Sequence, residues 1–169
     1  MRQTGQSYFV SSQTADRKPF FRHERWAQLF LNVLENYRTG YLLHAYMLMP
    51  DHIHLLLTPT GSLEKAVQQI KGGFSYKVKK ELNWQGEVWQ KGFSDHRIRD
   101  IQDWNTHLEY IRMNPVHAKL CIEPEEYLYG SQAGSLEMDA VPQRLKPLLS
   151  CDDNGGAEAP PLQRPIERR

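Results

Sequence analysis

Long apolar runs are missing from this chain, and that absence is the first constraint on what it can be. No stretch approaches the roughly 20 consecutive apolar residues that a helix needs to cross a bilayer, although hydrophobic residues make up 40% of its 169. Cysteine is scarce too: Cys121 and Cys151 are the only two, and neither sits in a metal-ligand spacing. A disulfide framework and a cysteine-built zinc site are thereby excluded, and a reducing cytoplasm is the expected setting. Met1 to Thr14 is polar and lacks the apolar core of a secretory signal, which agrees with a cytoplasmic location. Net charge is nearly absent, at +1. Its distribution says more than its sum. Residues 1–120 carry 16 Lys/Arg against 11 Asp/Glu, whereas residues 121–169 carry 5 against 9. A basic body with an acidic tail suits a polyanionic ligand, and it fits an ordinary solvated surface equally well.

What is present reads as one domain with alternating periods. Tyr8-Phe9-Val10 opens a strand, with Tyr8 and Val10 on one face and Phe9 on the other. From Phe20 to Arg38 the period becomes helical: Trp26, Leu29, Phe30, Val33, Leu34 and Tyr37 form one stripe, and Gly40 stops it. Tyr41 to Met49 and His52 to Thr58 are two strands joined by a Pro50-Asp51 turn, hence antiparallel neighbours. Ser62 caps a second helix over 63–82, buried through Leu63, Val67, Ile70, Phe74, Val78 and Leu82. Gly72 and Gly73 inside it predict a bend or a close approach. An extended segment over 87–100 follows, then a helix from about Gln102 to Asn114 that Pro115 ends or kinks. The order strand–helix–strand–strand–helix–strand implies an α+β fold, a ferredoxin-like sandwich. Its antiparallel sheet has the two long helices on one face, and the other face is left to hold a site. The domain is expected over residues 1–133. Residues 134–169 are expected to be a disordered or irregular tail, dominated by Pro, Gly and charge from about Asp139.

The strand Met49-Pro50-Asp51-His52-Ile53-His54-Leu55-Leu56-Leu57 carries the sharpest chemical pattern. Side chains alternate along a strand, so Ile53, Leu55 and Leu57 enter the core while His52 and His54 face the open side, about 7 Å apart. Two such imidazoles can converge on a cation, or they can simply decorate the sheet. A bare His-x-His pattern leaves both readings open. In Tyr110-Ile111-Arg112-Met113-Asn114-Pro115 the helical period puts Tyr110 and Asn114 on one face, a turn apart. Tyr110 then lies at the edge of the Trp104, Leu108 and Ile111 stripe, where a hydroxyl reaches both core and solvent.

Together, the strand motif, the stretch Val88-Trp89-Gln90-Lys91-Gly92-Phe93-Ser94-Asp95-His96-Arg97-Ile98-Arg99 and the helix motif Tyr110-Ile111-Arg112-Met113-Asn114-Pro115-Val116 resemble one family. They are similar to the single-tyrosine HUH transposases, specifically the REP-associated tyrosine transposases, over residues 5–133. The resemblance implies that His52 and His54 bind a divalent metal, Mg²⁺ or Mn²⁺, that Tyr110 is the nucleophile, and that Asn114 is a third ligand. It implies cleavage and joining of single-stranded hairpin DNA through a 5′-phosphotyrosine link, by a monomer or a homodimer. Asp51 departs from the Asn that often precedes the first histidine of this family, and His117 stands where a basic residue is common. Lys71, Lys77 and Lys80 on the second helix, with Arg97 and Arg99, are the candidates for phosphate contact. Trp84, Trp89 and Phe93 interleave with them and could stack on bases, although Trp89 suits core packing better. The alternative function is a non-catalytic module that binds hairpin nucleic acid on the same fold.

Overall fold

A computed structural model describes residues 5–146. Its main elements are β1 (Tyr8–Gln13), α1 (Glu24–Asn36), β2 (Tyr41–Met49), β3 (His52–Pro59), α2 (Leu63–Leu82), β4 (Ser94–Arg97) and α3 (Ile101–His117). The four strands form one sheet in the order β2-β3-β1-β4, and every neighbouring pair is antiparallel. This is the ferredoxin-like arrangement that the order of elements implied, with α3 as the extra helix.

Alternation along the strands divides the sheet into two unlike faces. Tyr8 and Val10 of β1 and Ile53, Leu55 and Leu57 of β3 meet Phe30 and Leu34 of α1 and Ile70, Phe74 and Val78 of α2 in the larger core. Residues one step out of phase, Ala45, Met47, Met49 and Leu56, pack on the other face against Trp104 and Ile111 of α3. A one-residue slip of β3 would exchange its leucines for its histidines, so the buried side fixes the register.

Several boundaries differ from the sequence pattern, each for a local reason. The first helical stripe is split, because Phe20–Arg22 is a 3-10 turn and α1 starts only at Glu24. α3 begins at Ile101, capped by Asp100, whose carboxylate accepts from the Asp103 amide at 2.8 Å. It continues through Pro115 to His117. Proline removes only its own donor, and the Ala118 amide still reaches the Asn114 carbonyl at 3.0 Å. α2 runs unbroken through both glycines, and at Gly73 the approach is the Tyr37 ring, which a Cβ would strike.

Residues 134–146, the described part of the stretch expected to be a disordered or irregular tail, follow an irregular path along β2. Tyr129 accepts from the Leu48 amide at 2.8 Å, and Asp139 exchanges backbone and side-chain bonds with Leu43. This irregular segment thus satisfies the open edge of β2. Leu145 is buried in the second core. The remainder of the expected tail, residues 147–169, lies outside the described residues.

Candidate active site

On the second face, β3 presents His52 and His54 with ring centroids 4.8 Å apart. α3 crosses above them and brings the Tyr110 ring to 5.4 Å from that of His54. One chain therefore assembles both imidazoles and the phenol. Phe9 of β1 supports the group from below: its ring lies 5.3 Å from His54, 5.7 Å from Tyr110 and 5.0 Å from His107. The β1–β3 register sets Phe9 opposite Leu56 and makes it a diagonal neighbour of His54 on that face.

The two histidines have different surroundings. His54 is 5% exposed, and neither of its ring nitrogens has a hydrogen-bond partner. Burial, and then the neighbouring His52, pushes its pKa down to about 3, so the ring is neutral and its lone pair is available. His52 is half-buried, and its Nδ1 meets the Asp51 carboxylate at 2.7 Å. Asp51 also accepts from Arg17 Nε at 2.9 Å. Burial opposes the charge on Asp51, yet the hydrogen bonds and charges of His52 and Arg17 bring its pKa below the ordinary value. A carboxylate on Nδ1 leaves Nε2 as the free nitrogen, the arrangement that orients metal-binding histidines.

Leaving a buried imidazole unpaired costs on the order of 1–3 kcal/mol. A cation between the two rings would satisfy His54 and use the oriented nitrogen of His52, so these residues fit a divalent ion. Asn114 lies on α3 one turn beyond Tyr110. A further turn on, Ala118 lines a cleft of about 430 Å³ with His52, Arg17, Arg22 and Met49. The helix face that carries Asn114 thus runs from His54 toward His52. Tyr110 itself is 45% exposed and accessible to a large substrate.

The basic residues named from the sequence are not gathered at this site. Lys71, Lys77 and Lys80 belong to α2, which packs on the opposite face. Lys71 donates to the carbonyls of Gln90 and Gly92 and lies 5.5 Å from the Trp89 ring centre; burial lowers its pKa. Lys77 pairs with Glu81 at 3.1 Å, and Lys80 lies over the Tyr76 ring. Arg97 ends β4 on the outer edge and is exposed, while Arg99 follows the strand, with Nε 3.4 Å from Asp103. Trp89 packs among Phe21, Phe30 and Phe74, and Trp84 against Phe20 and Trp26. Phe93 lies against the same core.

Sequence reasoning passed over a second polar group beside the rings. His96 of β4 and Asp103 and His107 of α3 bring two ring nitrogens and a carboxylate oxygen within 4.8 Å of one another, close enough to hold a metal ion. The i,i+4 spacing of Asp103 and His107 was a usable signal; the approach of His96 depends on the loop between β4 and α3.

Comparison with known proteins decides the family. The family model described as "Transposase IS200 like" matches residues 5–114. The chain belongs to the IS200-like transposase family. This membership bears out the resemblance read from the three motifs. A REP-associated tyrosine transposase of Escherichia coli K12 is 30% identical over 77 residues, 44% of each chain. A Haemophilus influenzae protein, provisionally given the same name, is 29% identical over 111 residues, 59% of this chain and 63% of that one. The match thus spans less than two thirds of either relative. Among solved structures, a REP-associated tyrosine transposase bound to a REP hairpin superposes with a TM-score of 0.68 at 20% identity, covering 99% of this chain and 96% of that one. That likeness shows that the two share a fold.

Proposed function

We propose that this chain cleaves and rejoins single-stranded DNA, with Tyr110 as nucleophile and His52, His54 and Asn114 holding Mg²⁺ or Mn²⁺. The observation that carries the reading is His54, a buried imidazole with two unpartnered nitrogens, flanked by His52 and the Tyr110 ring. A fold maintained for stability alone would fill that position with an apolar side chain. When bound, the ion supplies Lewis acidity that drains charge from a phosphodiester and holds it in line. A set of two imidazoles and one amide oxygen suits Mn²⁺ better than Mg²⁺ in vitro.

The chain's own groups do the rest. The Tyr110 oxygen loses its proton and attacks phosphorus; an oxygen–phosphorus bond forms, and the bond from phosphorus to the 3′ oxygen breaks. The products are a 5′-phosphotyrosine and a free 3′-hydroxyl. The phosphotyrosine keeps the energy of the original diester, so another 3′-hydroxyl can reverse the step and join without ATP. Phe9 holds the phenol against His54, and Asp51 holds His52. Because one chain brings Tyr110 to its own histidines, a monomer suffices for cleavage on this reading.

A hairpin of single-stranded DNA is the substrate proposed, in line with the hairpin bound by the structural relative. Arg97 and Arg99 at the exposed edge are candidates for phosphate contact, with Arg97 in register with Tyr8 on the α1 and α2 side, and Lys77 and Lys80 would serve only a strand that wraps around to α2. Among the described residues no helix is long and apolar enough to cross a membrane, and a cytoplasmic setting is part of the proposal. Labelled single-stranded hairpins incubated with the protein and Mn²⁺ should yield an adduct that survives SDS. It should vanish with EDTA or with Tyr110→Phe. Hairpin binding without any adduct would favour the non-catalytic module instead.

A further inference from the structure

We infer that His96, Asp103 and His107 form a second metal site, separate from the His52–His54 pair, that takes a transition ion such as Zn²⁺ and fastens α3 to the edge strand β4. The inference does not depend on the proposed DNA chemistry. Two observations support it. The donor set is two imidazoles and one carboxylate within 4.8 Å of one another, a mixture that suits Zn²⁺, Mn²⁺ or Fe²⁺ over Mg²⁺. The ligands are also held in place before any ion arrives. His96 and His107 stack at 4.5 Å with a 19° tilt, His96 Nε2 lies 2.9 Å from the carboxylate, and His107 Nδ1 lies 2.9 Å from the Asp103 carbonyl.

The site is also supported and reachable. The Arg99 amide donates to the Asp103 carboxylate at 3.0 Å, a fixed outer contact of the kind that orients ligands. The Arg99 guanidinium, with Nε 3.4 Å from the carboxylate, opposes an incoming ion, and at 74% exposure it is free to swing into solvent. His96 is 39% exposed and gives the route of entry. On binding, His96 exchanges its contact with the carboxylate for a bond to the ion, His107, whose Nδ1 also lies 3.1 Å from that carboxylate, turns to the ion as well, and the carboxylate becomes a ligand. The consequence is mechanical. His107 precedes Tyr110 by three residues on the same helix, so an ion here ties the nucleophile's helix to the sheet at a point outside the reaction centre.

Calorimetric titration of the full chain with Zn²⁺ alone tests this, using three proteins checked for folding by circular dichroism. The wild type, an Asp103→Asn/His107→Gln variant and a His52→Gln/His54→Gln variant are compared. The inference predicts that one equivalent of Zn²⁺ is lost in the Asp103/His107 variant and kept in the His52/His54 variant. It further predicts that saturating Zn²⁺ slows amide exchange in the first turns of α3 in the latter. Equal Zn²⁺ binding by the wild type and the Asp103/His107 variant overturns it, as does loss of all binding in the His52/His54 variant. A wild type that binds a single ion at the triad would sustain this inference while removing the metal from the proposed active site. Should His107→Gln unfold the protein, Asp103→Asn alone gives the same count.

Discussion

The two faces of this sheet are built from the same strands, yet they obey different rules. Toward α1 and α2 the face is hydrocarbon: Val10, Ile53, Leu55 and Leu57 against Phe30, Ile70 and Phe74, all essentially sealed from solvent. Toward α3 the next residue along each strand is often polar or aromatic, and Phe9, His52 and His54 gather with Tyr110, His96, Asp103 and His107. The first face buries apolar area at about 25 cal/mol per Å² and supplies most of the stability. The second keeps a buried imidazole without partners, at a cost that packing against α3 does not recover. A protein tolerates such a conflict where function requires it. The strand period of two is what lets one sequence serve both demands.

Mutations separate the faces by what they disturb. The largest effect is expected on the hydrocarbon side, where Phe74→Ala should cost about 3–5 kcal/mol, read as a lower denaturant midpoint, with Mn²⁺ affinity unchanged in whatever fraction stays folded. On the other side, Asp51→Ala should leave the melting temperature nearly unchanged and weaken Mn²⁺ binding by roughly 10–100-fold, since only the orientation of His52 is lost. A large loss of stability there would blur the contrast. Smaller still is the glycine pair in α2. Gly72→Ala, facing open space, should stabilise by up to about 1 kcal/mol through helix propensity. Gly73→Ala should destabilise because its Cβ meets the Tyr37 ring.

The smallest expected effect concerns pH. His44 is buried where a bulge interrupts β2, 2.9 Å from Thr58 Oγ1 and 3.0 Å from the Asp139 carbonyl. Burial lowers its pKa below 6.5 despite that carbonyl and the nearby Asp139 charge. The unfolded chain therefore binds the proton more readily, so the stability this ring contributes is full above about pH 6.5 and is lost as pH falls through the folded value. Thermal melts from pH 7.5 to 5 should show a smaller decline in His44→Gln than in the wild type.

The division between faces was legible in the sequence because alternation and register leave little freedom. The opposition of His52 and His54 to Ile53, Leu55 and Leu57 followed from the pleat, and the position of Tyr110 at the edge of an apolar stripe followed from the helical period, whereas its place in the site was implied only by the family resemblance. Three things were not legible. Phe9 looked like an ordinary strand residue, since its contacts with His54, Tyr110 and His107 come from two other elements, β3 and α3. The α2 lysines looked available for DNA, but periodicity cannot say that Lys71 would be tied to the Gln90 and Gly92 carbonyls or Lys77 to Glu81. The contacts of Glu137 and Asp139, within the stretch read as a disordered or irregular tail, are made to Arg38 and Leu43, some 96–99 residues earlier, and composition does not register partners at that distance.

His54→Leu offers the sharpest measurement, scored twice on one sample: thermal unfolding without metal, and Mn²⁺-dependent covalent adduct on a single-stranded hairpin. Replacing an unsatisfied imidazole by a hydrocarbon of similar size should raise the melting temperature, by the equivalent of about 1–3 kcal/mol, while the adduct disappears. A variant that melts below the wild type and still forms the adduct would contradict the claim that this position is held for chemistry at the expense of stability.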